Sequence, residues 1–424
     1  MTSEKHPRDR RIGSRPAPGP ADHNVSSPGP TRHRRPGRRI GIVGTGFVAR
    51  HFVAELLRRP DWALGRVLTR RPPDTVEGMP AAALTDSIDA LIESADIILE
   101  CTGDIGHATA VATAVLAAGR PLVTLNPEFH VTTGSAFVDR GFLTEAEGDQ
   151  PGSLARLAED AVTMGFEPLV YGNMKGFLNR QPTPEDMRHW AERQGLSLPM
   201  VTAFTDGTKL QIEQCLIGNF RRADIAREDL LGPAVDELDQ AAGILGEAAV
   251  RAGGPITDYA LSARLPHGVF VVGRHTADQA AALRYLKLGD GPFYTLVQPN
   301  ILVHLEAFKT LERVARGGAP LLHNTARPHL SVAAVAKRRL GPGERIRRGY
   351  GSFELRGTCV RIADRPDHLP ICLAENLHVR RTIEPGEVLG MTDVDLEASP
   401  ALEHWQRLTA AHRTTAPQRR ALGS

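Results

Sequence analysis

Cysteine is scarce: the chain has four in 424 residues, Cys101, Cys215, Cys359 and Cys372, and no two form a CxxC pair. That spacing supports neither a zinc site nor a disulfide framework, and reads as reduced, packed thiols in a cytoplasmic protein. No run of 18 apolar residues occurs, so a membrane-spanning helix is excluded. Lysine is scarcer than arginine, six (Lys5, Lys175, Lys209, Lys287, Lys309, Lys337) against 45. Such a bias follows codon usage, and it makes an interior lysine informative, because arginine cannot replace an amine that must shed its proton. Excess charge is lacking too. The formal net charge is +2, and residues 1–38 alone hold eight Arg and Lys5 against Glu4, Asp9 and Asp22. The remaining 386 residues carry 42 basic and 46 acidic groups. A nucleic-acid footprint needs a basic surface on the folded body, so no nucleic-acid partner is expected.

The basic tail over 1–38 has seven Pro, four Gly and no aromatic ring. It cannot bury enough apolar surface to offset ordering entropy, so disorder is expected. A transit peptide is the alternative, although the prolines would break an amphipathic helix. Arg38-Arg39 before IGIVGTGFVA superficially matches a twin-arginine signal, but the apolar stretch is short and glycine-interrupted, and reads as a strand and its turn.

Length predicts two or three domains. From Arg39 the pattern alternates strand and helix: a buried strand and helix in RIGIVGTGFVARHFVAELL, strands at 63–70, 96–103 and 121–126, and helices at 87–95 and 107–119. This β-α-β-α-β order predicts an α/β fold with a doubly wound parallel sheet over 39–150. Residues 151–325 read as an α+β catalytic or substrate domain, with the strand near 167–173 returning to the first sheet. MVTAFTDG (200–207) reads as a strand feeding the helix TKLQIEQCLIG. From 326 to 400 short strands suggest a small β-rich domain, in which RRLGPGERI (338–346) and RRTIEPGEVL (380–389) form a weak internal repeat. Residues 401–424 read as a C-terminal tail.

Gly44-Thr45-Gly46-Phe47-Val48-Ala49 is GxGxxA with a strand before it and a helix after it. In a Rossmann unit the first glycine permits the tight turn, the second lets the backbone approach a pyrophosphate, and Ala49 allows close helix packing. The second strand ends at Thr69-Arg70-Arg71 with no acid before Asp74. Two guanidiniums there suit a 2′-phosphate, favouring NADP(H) over NAD. Thr102, Gly103, Asn126 and Glu128 follow the third and fourth strands, at the carboxyl edge where the nicotinamide would lie. Cys101 reads as a packed residue and not a nucleophile.

Two lysines fall where a carbonyl or anionic substrate would sit. Lys175 follows the strand EPLVYGNM at a turn. Lys209 lies at the start of a helix, four residues before Glu213 and so on one face with it, with Asp206 and Thr208 at the N-terminal end. That N-terminus could hold a substrate anion. The alternative is an ordinary surface pair and a solvated Lys175. Asp149 in GDQPG is a turn acid that could also serve the site, whereas His304 and Glu306 read as core-edge residues.

GDQPG, YGNMKGFLN and FTDGTKLQIEQ, the dinucleotide fingerprint and the C-terminal segments ARPHLSVAAVAKRRLGPGE and DHLPICLAENLHVRRTIEPGEVL together resemble homoserine-dehydrogenase-like oxidoreductases joined to a C-terminal β-clip (SAF) domain. Their known members include the 1-deoxy-D-xylulose-5-phosphate reductoisomerase-like enzymes. The resemblance spans about 39–400. It implies NADPH-dependent reduction of a small polar carbonyl compound, with rearrangement assisted by a divalent cation in some members. It also implies catalytic or substrate-binding roles for Lys175, Asp206, Lys209 and Glu213. The acidic cluster by which ordinary reductoisomerases hold metal is missing. The expected partner is a small-molecule substrate, with a homo-oligomer as the expected assembly. A homoserine-type or secondary-metabolite dehydrogenase and a non-catalytic nucleotide-binding protein are the alternatives.

Overall fold

The computed structural model describes residues 38–415, and side chains to residue 410. The expected disordered tail, save Arg38, and the last nine residues lie outside the described residues.

The N-terminal part runs β1 (Arg38–Val43), α1 (Phe47–Leu56), β2 (Trp62–Leu68), β3 (Leu84–Thr85), α2 (Ile88–Glu93), β4 (Ile97–Glu100), α3 (Ile105–Ala117), β5 (Leu122–Thr124), α4 (Pro127–Thr132), β6 (Leu143–Glu145) and α5 (Gln150–Thr163). Its sheet is parallel throughout, in the order β3-β2-β1-β4-β5-β6. Both faces are covered, as the apolar runs of β1 and β4 require: Ile40 and Ile42 pack with Phe52 on one side, Val43 and Ile98 with Val111 on the other. The order reverses between β1 and β4, and the crevice outside their carboxyl ends is where such a sheet holds its ligand.

The middle part runs β7 (Glu167–Lys175), α6 (Pro184–Gln194), α7 (Leu198–Thr205), α8 (Thr208–Arg221), α9 (Leu238–Ala252), β8 (Ile256–Leu261), β9 (Gly268–Arg274), α10 (Ala280–Tyr285), β10 (Tyr294–Pro299) and α11 (Val303–Ala315). The expected return of residues 167–173 to the first sheet does not occur. β7 is flanked by β8 in parallel and β9 antiparallel, so neither of its edges is free, and a second sheet forms in the order β10-β9-β7-β8. The strand expected at 200–207 is helix α7. Pro199 stands in its first turn and the buried Thr202 hydroxyl donates back to the Leu198 carbonyl at 2.8 Å. The expected 151–325 unit is not self-contained, since α11 returns to cover the first sheet, with Phe308 stacked on Phe52 at 4.4 Å.

The C-terminal part holds β11 (Leu330–Ala336), β12 (Arg345–Arg348), β13 (Leu355–Arg361), β14 (Glu375–Val379), β15 (Val394–Asp395) and α12 (Pro400–Thr415). Two small sheets, β11-β13 and β12-β14-β15, match the expected β-rich unit. The two repeat segments pair with each other: Leu340 and Ile383 exchange both backbone bonds at 3.0 Å. Each then turns through a left-handed glycine, Gly343 or Gly386. Each also closes a matching bridge, Arg338 to Glu344 at 2.5 Å and Arg381 to Glu387 at 2.7 Å. Residues expected as a tail form α12, which buries Ala401 and Trp405 against Leu373. Among the described residues, no helix is long and apolar enough to cross a membrane.

Candidate active site

The GxGxxA turn leaves β1 through Gly44, whose φ of +107° only glycine adopts at low cost. A Cβ added at Gly46 would meet nothing within 4 Å, so open space lies directly before the N-terminus of α1. Gly44, Thr45, Gly46, Arg70, Arg71 and Thr102 line one cleft of about 300 Å³, as the sequence suggested. Leu68, Thr69 and Cys101 also line it, as do Asp104 and His107, which no sequence signal marked. Both arginines are exposed, and Arg70 is paired to Asp104 at 2.6 Å. Phe47, Val48 and Gly103 lie outside this lining: Phe47 is half exposed and packs edge-on against His51. The turn therefore offers a dinucleotide its backbone and not those side chains.

Asn126 and Glu128 do not face the cleft either. Asn126 is fully buried and caps α4 by accepting the Phe129 N–H at 3.0 Å. A chain of buried polar groups connects the two regions. Glu100, at the end of β4, accepts the Thr102 N–H at 2.7 Å and the Thr124 hydroxyl at 3.1 Å, and burial raises its pKa. Cys101 beside it is an inert thiol, pushed well up by burial and by Glu100.

Glu128, 3% exposed on α4, meets Lys209 instead. The Lys209 ammonium lies 3.0 and 3.1 Å from the two Glu128 oxygens and 3.7 Å from Asp149 Oδ2. Glu213, one turn along α8, is 1% exposed and accepts a 3.0 Å bond from Asn173 Nδ2. Asn173 in turn accepts from Gln150 Nε2 at 2.8 Å. Lys175 is the last residue of β7 and not part of a turn. Two residues beyond Asn173, it shares that face of the strand, its ammonium 5.5 Å from the Phe204 ring centre.

Burial acts differently on the members of this cluster. It would lower the Lys209 pKa, but Asp149, Glu128 and Glu213 outweigh it and raise the value, so Lys209 remains a fixed cation. Lys175 is lowered, by burial first, with Lys209 adding to the effect against Glu213. Glu213 is pushed up to about 8 by burial and by Asp149, against the pull of the two lysines. The arrangement thus holds one permanent positive charge beside a lysine whose pKa is lowered and a carboxyl raised to about 8.

Asp206 is not in this cluster. It caps the end of α7, accepts the Thr208 N–H at 2.8 Å and pairs with Lys337 of the C-terminal part at 2.6 Å. Nor is the N-terminus of α8 open to an anion. Thr208 is fully buried, and its hydroxyl accepts the Gly357 N–H at 2.8 Å. His304 packs against His51, and Glu306 accepts the Leu302 N–H at the start of α11. GDQPG proves more than a turn. Asp149 caps α5 while facing Lys209, and a Cβ at Gly152 would overlap the Ala146 carbonyl oxygen. Tyr350 donates a 2.8 Å bond to Glu128 and had no sequence signal, being a lone tyrosine more than 200 residues away. Among the described residues, no group of three His, Cys, Asp or Glu side chains is placed to hold a metal ion.

Residues 148–307 match the family model described as Oxidoreductase DRL, catalytic domain. No curated protein matches the chain. Similar solved structures include a protein from Thermotoga maritima described as a probable dehydrogenase, 14% identical over 68% of this chain and 91% of that one, TM-score 0.39. Another is UDP-N-acetylglucosamine 3-dehydrogenase from Acidithiobacillus ferrooxidans, 14% identical over 69% and 93%, TM-score 0.41. A homoserine dehydrogenase from Thiobacillus denitrificans is 18% identical over 42% and 51%, TM-score 0.30. The catalytic-domain match, which contains Asp149, Lys175, Lys209 and Glu213, joins a dinucleotide-type sheet in one chain. The matched segment marks the protein as an oxidoreductase.

Proposed function

We propose that this oxidoreductase uses NADP(H) to interconvert a carbonyl and a hydroxyl on a small polar compound. Its substrate would be a phosphorylated, sugar-like ketone of the 1-deoxy-D-xylulose 5-phosphate kind. The observation that carries the reading is the buried Lys209 held between Glu128 and Asp149, with Glu213 and Lys175 adjoining, at the carboxyl side of the dinucleotide sheet. NADP is favoured by Arg70 and Arg71 at the cleft and by the absence of an acid at the end of β2. The open space at Gly46 and the amides of the following helix fit a pyrophosphate. Bound there, the nicotinamide would supply or accept a hydride.

The chain's own groups handle charge and protons. Lys209 is held rigidly and stays charged, so it polarises a substrate oxygen without titrating. Lys175, half-buried and with a lowered pKa, gives a proton to that oxygen or takes one from it. Glu213, bonded to Asn173, adjusts the charge beside both lysines. Among the described residues no group of three His, Cys, Asp or Glu side chains is placed to hold a divalent cation, and these roles are assigned to the chain's own groups.

The carboxylates around Lys209 also favour a second reading, a homoserine-type substrate whose ammonium would be welcome beside Glu128 and Asp149. Incubation with NADPH or NADH and a panel of phosphorylated ketoses, aldehydes and semialdehydes, following nicotinamide absorbance, separates the two. Oxidation of NADPH by a phosphorylated ketose supports the first reading, and turnover of an amino-acid semialdehyde alone supports the second. Lys209→Met is expected to lower kcat by about a hundredfold or more while leaving NADPH affinity intact. Full turnover by that variant would remove Lys209 from the mechanism.

A further inference from the structure

Glu128 is shared between two parts of the chain. One of its oxygens takes the Lys209 ammonium at 3.0 Å and the Tyr350 hydroxyl at 2.8 Å. Tyr350 belongs to the C-terminal β unit, in the loop between β12 and β13. That loop is anchored from several sides. The Gly349 N–H donates to the Ala374 carbonyl at 2.6 Å. Gly351, at φ +65°, lies so close to the Pro199 carbonyl that a Cβ would overlap it. Two residues past the tyrosine, the Ser352 carbonyl accepts from Lys337 Nζ at 2.5 Å, and Lys337 is the partner of Asp206. The buried Asp206–Lys337 pair, which shares no bond with the lysine cluster, thus helps fix the loop that carries Tyr350.

A phenol aimed at a carboxylate by so many restraints has one use that this geometry supports. We infer that Tyr350 is a positioning residue: its hydroxyl holds Glu128 in the orientation that grips Lys209, so the C-terminal unit completes the active site. The inference rests on the proposed role of Lys209. Tyr350 does not itself move a proton. Burial, reinforced by Glu128, pushes its pKa well above the usual phenol range. The other groups acting on it are Met200, at 3.7 Å from the hydroxyl, Cys372 and, electrostatically, Glu213.

Tyr350→Phe keeps the ring and removes the hydroxyl. A hydrogen bond to a charged acceptor commonly amounts to about a factor of ten or more. The variant is expected to lose about tenfold in kcat with unchanged NADPH affinity. In a Glu128→Gln background the same change should cost nothing further, because Tyr350 acts through that carboxylate. Multiplying effects would overturn the inference. A second readout needs no turnover. With only six lysines in the chain, lysine-selective 15N labelling gives few ammonium signals. Lys209 is expected to show a slowly exchanging one that exchanges faster in Tyr350→Phe. Asp206→Asn, which loosens the loop from its other end, should also speed that exchange. Unchanged exchange in both variants would refute the positioning role. Failure of the whole carbonyl panel, with the exchange effect intact, would instead sink the functional reading alone.

Discussion

Glu213→Gln tests the electrostatics of the site most directly. Glu213 is 1% exposed, and its pKa is displaced from 4.5 to about 8, by burial first and then by Asp149. A carboxyl raised in the folded state stabilises the protein relative to its ionised form at low pH. That contribution is complete below about 4.5, where folded and unfolded chains are both protonated. It is lost as pH rises toward 8, because unfolding then releases a proton. At about 1.4 kcal/mol per pH unit the full window amounts to about 5 kcal/mol, and the part between pH 6 and 8 to roughly 2–3 kcal/mol. Glutamine has nearly the same shape, can still accept from Asn173, and does not titrate. Urea unfolding of both proteins at pH 6, 7 and 8 should therefore show the wild type losing stability relative to the variant by that amount. The pH–rate profile of the wild type should bend near 8, and the variant should lack that bend. Parallel stability losses in the two proteins, with the bend retained in the variant, would refute the assignment of a raised pKa to Glu213.

Three further changes probe the rest of the molecule. Gly46→Ala puts a methyl group into the open space before α1 without backbone strain, since φ there is −78°. Thermal stability should hold while NADPH affinity, read by fluorescence titration, falls about tenfold or more. Arg71→Ala should raise KM for NADPH by about tenfold and leave NADH unaffected, and an equal effect on both cofactors would dismiss the 2′-phosphate role. Asp206→Asn breaks a buried ion pair, so stability in chemical denaturation should drop by about 3–5 kcal/mol. NADPH binding should be retained, in keeping with a structural role for Asp206.

Much of this was legible locally. The strand, glycine turn and helix at 38–56 follow from apolar periodicity and from what φ > 0 demands at Gly44. The paired lysine and glutamate of α8 follow from four-residue spacing. The repeat at 338–346 and 380–389 was visible as similar strings, and the structure adds that the two copies bond to each other. Other features were not legible. α7 carries the β-branched composition of a strand and became a helix because Pro199 starts it and tertiary packing buries Val201 and Ala203. β7 joins the second sheet and not the first because an apolar strand does not encode which edge it pairs with.

Scarcity of cysteine and of net charge argues against a disulfide framework and a basic nucleic-acid surface, and scarcity of lysine singles out two lysines worth pursuing. Local sequence thus determined the dinucleotide turn, the cleft lining at Arg70 and Arg71, and the face shared by Lys209 and Glu213, because these depend on neighbours a few residues apart. Only the tertiary structure decided which carboxylates meet Lys209. Glu128 comes from the first sheet, Asp149 from the cap of α5 and Tyr350 from the C-terminal unit. Their charges act on one another through a few ångströms of low-dielectric interior, whatever their separation along the chain. The same distance dependence left Asp206, only three residues from Lys209, with a different partner and a different task.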